Sequence, residues 1–411
     1  MSPSRWCIRS CLPVALAVAL ASCDGNAPSD LAPTDEMTTE QAHLADLQRL
    51  TDLIRAGDAV GSGEASTLLA RIQGRYSIDP SLLPTERPAL EDLPDVGAIM
   101  REVRDRQKAR AGMVNLEGPA AVGSGILRVP GQYATIQAAV DADSPGDDIQ
   151  VSAGVYNETV FIMQDGIRLS GIGLPVIMGS GGIINLGDGN VVVGFSTVLT
   201  AFGIANLGNN VSHFAANQVY GALAGVWCLQ TTQCWAYGNQ VTLTVFGMVA
   251  SIVALLDDSE DEGLFVGFHD GDFGYLARDV TDTYFIKNRI EFSGVGAVAV
   301  GALPYGSGPP SNLLPPGYSA YEADLPSHIE DLVGLEVLRT NIQENDFFQN
   351  AVQTALVNVR ASTVMDNQFM CALEDIFRLD DALSTVRRNK FRRCADGFTD
   401  LPVSHGGGRI F

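Results

Sequence analysis

The sequence predicts an all-β solenoid, a right-handed parallel β-helix closed by an N-terminal capping helix and preceded by a small helical preamble. Two observations carry this. Asn217-Gln218-Val219 recurs 22 residues on as Asn239-Gln240-Val241, and Asn345-Asp346-Phe347, Asn367-Gln368-Phe369 and Asn389-Lys390-Phe391 repeat the same spacing. Asn288-Arg289-Ile290 shares the pattern after an insertion. A fixed period of this size marks units that bury their apolar side only by stacking on one another. Upstream, residues 127–162 read as strand, short amphipathic helix, turn and rising short strands, which is how a solenoid closes its first open end.

The elements follow in chain order. Arg5 and Arg9 precede the apolar run LPVALAVALA at 12–21, about half the length a bilayer-spanning helix needs, so residues 1–22 read as a signal peptide. The run closes on Leu20-Ala21-Ser22-Cys23, which resembles the lipobox of bacterial lipoproteins. That resemblance implies cleavage before Cys23 and a diacylglycerol on its thiol, with the protein held to a membrane in the cell envelope, facing the periplasm or the exterior. The other reading is an ordinary secretory signal. Residues 23–37 are small, polar and Pro-containing, as a tether should be. In the preamble, 38–115, Thr38 to Gln41 spells a capping box, and Leu44, Leu47, Leu50 and Ile54 follow at helical spacing. Further helices are expected over 64–72 and 95–110. Such a preamble either docks a partner or simply packs on the domain beside it or spaces that domain from the membrane.

The β-helix proper is expected over 126–405. Thr135 caps a helix whose Ile136, Ala139 and Val140 share a face, Pro145-Gly146-Asp147 makes a turn, and Gly154 begins another. The segments ATIQAAVDA (134–142), PGD (145–147) and GVYNE (154–158) closely resemble the start of the pectin-lyase-like right-handed β-helix superfamily. The resemblance covers about 45 residues and implies the fold. In that superfamily the catalytic residues lie on later coils, so it transfers no activity. The run 241–256 is apolar enough to suggest a membrane helix, but it is short, carries Thr242, Thr244 and Ser251, and begins in register with the repeat. Insertions near 257–282 and 303–328 interrupt the period, and such loops are where a solenoid builds a binding site.

Charge narrows the partners. With 48 acidic against 26 basic residues the net charge is −22, which repels nucleic acid and bare anionic membranes. Within this acidic chain Arg387, Arg388, Lys390, Arg392 and Arg393 cluster. They read either as forks gripping the carboxylates of an acidic polysaccharide or as a charged last coil that keeps an open edge from pairing. Asp270 and Asp272 in the acidic insertion offer oxygen ligands to Ca²⁺, though without EF-hand spacing. Of the seven cysteines four follow Cys23, an even number that suits disulfides in an exported chain. Cys371 and Cys394 fall at nearly equivalent positions of successive coils and are expected to pair, with Cys228 to Cys234 as the second bond.

No motif of paired catalytic carboxylates is found. The expected function is an envelope lipoprotein whose β-helix binds glycan or another envelope component without catalysis. The alternative is a polysaccharide lyase, hydrolase or epimerase with a site on one face. Carboxylates stacked on one face beside the insertions would favour the enzyme, and scattered polar groups would favour binding.

Overall fold

The computed structural model describes residues 38–113, 125–252, 279–301, 336–379 and 381–393. The expected leader, Cys23 and the tether lie outside the described residues. So do Asp270, Asp272, Cys394 and all of 303–328.

The chain winds as a right-handed parallel β-helix. Every strand pair among the described residues is parallel, in one sheet of thirteen strands and another of fifteen. The second sheet bends into two faces, because Ser196–Leu207 and Gln218–Leu229 run unbroken round its corner. Each coil therefore crosses three faces. Face 1 holds Tyr284–Ile286 and Asn341–Gln343, face 2 holds Arg289–Glu291 and Asp346–Phe348, and face 3 holds Val295–Val300 and Val352–Val357.

The repeated asparagines form the corner between faces 1 and 2. Asn239 Oδ1 accepts from both the backbone N–H and Nδ2 of Asn217 at 3.0 and 3.1 Å, while Asn239 Nδ2 donates to the carbonyl of Phe214 at 2.9 Å. The same bonds link Asn239 to Asn288, Asn345, Asn367 and Asn389 in turn. The residue before each asparagine is left-handed: Ala216, Gly238, Lys287, Glu344, Asp366 and Arg388 all have φ between 54° and 63°. For a non-glycine residue that conformation costs about 1 kcal/mol, which the ladder offsets in every coil. Two positions on, Val219, Val241, Ile290, Phe347 and Phe369 point inward and are buried. The ring centroids of Phe347, Phe369 and Phe391 are 5.1 and 5.2 Å apart, and Phe391 is 53% exposed on the last described coil.

A second column was not expected. Gly203, Gly225, Gly247 and Gly296 stack on face 3, and a Cβ on Gly225 would lie 2.4 Å from the Gly247 carbonyl oxygen and 2.5 Å from Val241. Glycine is required here because a bulky inward residue of face 2 and the next coil's backbone already fill the space.

The N-terminal end is sealed as expected. Thr135 caps the helix Ile136–Asp141, and Glu158 of GVYNE takes the N–H groups of Ile136 and Gln137 on its carboxylate at 2.9 and 2.8 Å. Asp147 of PGD accepts from Gly125 and Ser144. Cys228 and Cys234 are joined, their Cα atoms 6.2 Å apart, and both are buried. They occupy the places held one coil earlier by Asn206 and Ser212, which Asn185 bridges by hydrogen bonds of 2.7 and 3.0 Å. A covalent link thus replaces a polar one inside the same corner. Cys371 is itself disulfide-bonded.

Helix α1 (Thr39–Arg55) carries the expected capping box, and with α2 (Gly63–Arg75) and α3 (Val96–Met113) it packs on the solenoid. The described part of the run 241–256, which ends at Ile252, contributes strands Gln240–Thr242 and Phe246–Ser251 rather than a helix. The acidic insertion also ends sooner than its expected boundary at 282. Val280–Thr281 is already a strand, in register with Thr232 and with Val337–Leu338, because its ladder bonds are available as soon as the coil closes.

Candidate functional site

The preamble decides which outer surfaces are free. Leu47, Leu50, Leu68 and Leu69 of α1 and α2 bury Val191, Val193, Ala215 and Tyr237 on face 1. Ile99, Met100 and Val103 of α3 join a second apolar layer outside face 3, which continues through Phe246, Val298 and Val357. Ile78, Leu82 and Leu83 cover Val176 and Val198 on face 2. Face 3 is apolar outside as well as inside, and its outward side chains are buried as far as Val357. Beyond Gln240, face 2 presents polar groups to solvent.

Two outward columns run along it, on either side of the buried ladder. One stacks Gln240, Arg289, Asp346, Gln368 and Lys390, and the other Thr242, Glu291, Phe348, Met370 and Arg392. Successive members lie about 4.8 Å apart along the solenoid axis. Tyr220 lies at the covered end of the second column. Phe292, 42% exposed at the corner toward face 3, meets Phe348 edge to face at 5.6 Å.

Titratable groups gather where the strip opens. Arg289 donates from Nε to Glu291 Oε1 at 2.7 Å and keeps 62% of its side chain in solvent. Crowding by the sheet raises the Asp346 carboxyl above its ordinary range, with Arg289 opposing the rise and Glu291 adding to it. Burial raises the Tyr220 hydroxyl, Glu291 adding to the rise and Arg289 opposing it, so the group is protonated at neutral pH and donates to Gln218 Oε1 at 3.3 Å. The strip thus offers a fork of N–H donors, amides that both give and accept, two carboxylates and two aromatic edges.

The expected cation cluster is divided by this geometry. Lys390 and Arg392 end the two columns of face 2. Arg387 belongs to face 1, in register with Met365. Arg388 turns the corner and is held by both oxygens of Asp366, at 2.8 and 2.7 Å. Arg393 follows the strand and acts on Asp375 of face 3. Five cations that adjoin in sequence therefore make no single groove, because consecutive residues of a coil face different ways. Tyr220, Arg289, Glu291, Asp346 and Phe348 escaped the sequence reading, although each sits one or three positions after a ladder asparagine. Glu291 and Asp346 do lie on adjacent coils of one face, but both insertions leave from the corner between faces 3 and 1. Among the described residues no group of three His, Cys, Asp or Glu is placed to hold a metal.

No family model and no curated protein matches the chain. Among solved structures it is similar to a pectin methylesterase from Aspergillus niger, with 12% identity and a TM-score of 0.32 over 72% of this chain and 94% of that one. It is also similar to an alginate lyase from Paenibacillus sp., with 14% identity and a TM-score of 0.28 over 66% of this chain and 98% of that one. A family 28 exopolygalacturonase from Yersinia enterocolitica aligns at 10% identity and a TM-score of 0.25, over 68% and 79% of the two chains.

Proposed function

We propose that the chain is an envelope glycan-binding protein, tethered to a membrane through a lipid on Cys23, and that the open strip of face 2 is its binding surface. One observation carries the reading. Among the described residues beyond Gln240, donors, acceptors and aromatic edges run in two unbroken columns over a face that combines solvent access with amides and an exposed guanidinium. An extended sugar chain presents hydroxyls to amides and forks and its C–H faces to rings, at a spacing comparable with the coil rise. The test is calorimetry against a panel of uronate and neutral glycans. Arg289→Ala should weaken binding tenfold or more, while Arg49→Ala on the exposed side of α1 should leave it unchanged. No binding to any glycan, or equal losses in both variants, would overturn the proposal.

A second reading has its own observation. Asp346, its carboxyl raised, neighbours Glu291, which is ion-paired to Arg289, and such pairs divide acid and base roles in glycan-cleaving enzymes. Product release from a uronate polymer, lost in Glu291→Gln and Asp346→Asn with binding kept, would favour catalysis.

A further inference from the structure

Two histidines are shut inside the seam between the α1–α2 pair and face 1. His43 of α1 is 2% exposed, stands edge-on to Tyr76 at 4.8 Å and donates to the carbonyl of Gly171 on face 1, while its Nδ1 has no partner. His213 projects from face 1 into the same seam. It is 5% exposed, lies parallel to the Trp235 ring at 6.3 Å, and its Nδ1 is also unpartnered.

The charged groups facing them are mostly cations. Near His43, α2 supplies Arg75 and α1 supplies Asp46, which is already bridged to Arg71 and Arg75 at 2.8 and 3.0 Å. Near His213, α1 supplies Arg55, which confronts Arg168 of face 1, and Asp52 bridges to Arg168 at 3.5 Å. A proton on either imidazole adds a buried cation beside an arginine whose carboxylate is already engaged.

We propose that this seam is an acid-operated latch. Protonation of His43 and His213 releases α1 and α2 from face 1 and uncovers the apolar strip of Val191, Val193, Ala215, Tyr237 and Ile286, while the coils beneath stay folded. The inference does not depend on the glycan reading. The coils persist because the ladders that stack them are Asn, Val, Ile and Phe, none of which titrates in this range.

Burial, with Arg75 for His43 and Arg55 for His213, holds both imidazoles down to about 4. The neutral forms are the docked ones. Docking is therefore at full strength above about pH 6.5 and weakens as pH falls from there toward 4. At pH 4.5 each histidine weakens the docking equilibrium by roughly a hundredfold.

The test is hydrogen exchange on the full chain between pH 7.5 and 4.5, corrected for intrinsic exchange rates. Peptides from 39–75 should lose protection at least tenfold on acidification, while those from 284–300 and 341–370 hold theirs. His43→Gln with His213→Gln should abolish the selective loss. If that double variant fails to dock at pH 7.5, Arg55→Gln reads the same device and should move the midpoint to lower pH. Uniform loss across helices and coils, no loss at all, or an unmoved midpoint in these variants would overturn the latch.

Discussion

The N-terminal coils and those from Tyr284 onward share one interior and an apolar outer layer on face 3, and they part on the outside of face 2. Before the first insertion the outer faces are spent on packing, with helices on faces 1 and 3 and the proline-broken segment on face 2. After it the same Asn corner and the same inward ladder continue, yet face 2 carries Arg289, Glu291, Asp346 and Lys390 into solvent. The comparison teaches that stacking is satisfied by inward and corner positions alone. The outward positions are then available either to seal the solenoid or to meet a ligand.

If that division is right, breaking the shared interior should hurt most wherever it is done. Gly225→Ala forces a Cβ into the Gly247 carbonyl and Val241, and should cost about 4 kcal/mol in urea unfolding. A loss under 1 kcal/mol would show that the column has slack. The asparagine corner sharpens the contrast between the two ends. Asn239→Ala leaves buried partners on both sides unpaired and should cost roughly 3 kcal/mol, whereas Asn389→Ala at the last described coil should cost about 1 kcal/mol. Equal costs would mean that the last corner is as deeply shielded as the middle.

The sealed end also carries a burden of its own. Asp143 has both carboxyl oxygens buried without a partner, and burial together with Asp147 and Asp141 pushes its carboxyl up to about 7. Its folded value exceeds its unfolded one, so the stability it contributes is full below about pH 4 and is lost as pH rises through 7. Asp143→Asn should stabilise the protein at pH 8 by about 2 kcal/mol and leave it unchanged near pH 4. A gain independent of pH would contradict this account. Smallest of all, Gly74→Ala near the end of α2 meets open space and should add roughly 0.5–1 kcal/mol, read as a small rise in Tm.

Most of the architecture was legible in the residues themselves. The 22-residue asparagine period, the Thr135 cap, the PGD turn and the three preamble helices are local or strictly repeated signals, and a repeat converts one local rule into a whole domain. The Phe347–Phe369–Phe391 ladder keeps the register of that asparagine period. What tertiary structure alone decided is the use of the outside. That Arg387 and Lys390 face different ways, that the glycine column backs onto Val241 and Ile290, and that His43 of the preamble and His213 of the coils share one seam all depend on elements far apart in sequence. A residue's direction on a coil can be counted from its asparagine, but whether that direction ends in water or against a helix depends on where the preamble docks. Docking is a sum of many weak apolar contacts with no period of its own, so nothing in the repeat announces which face stays open.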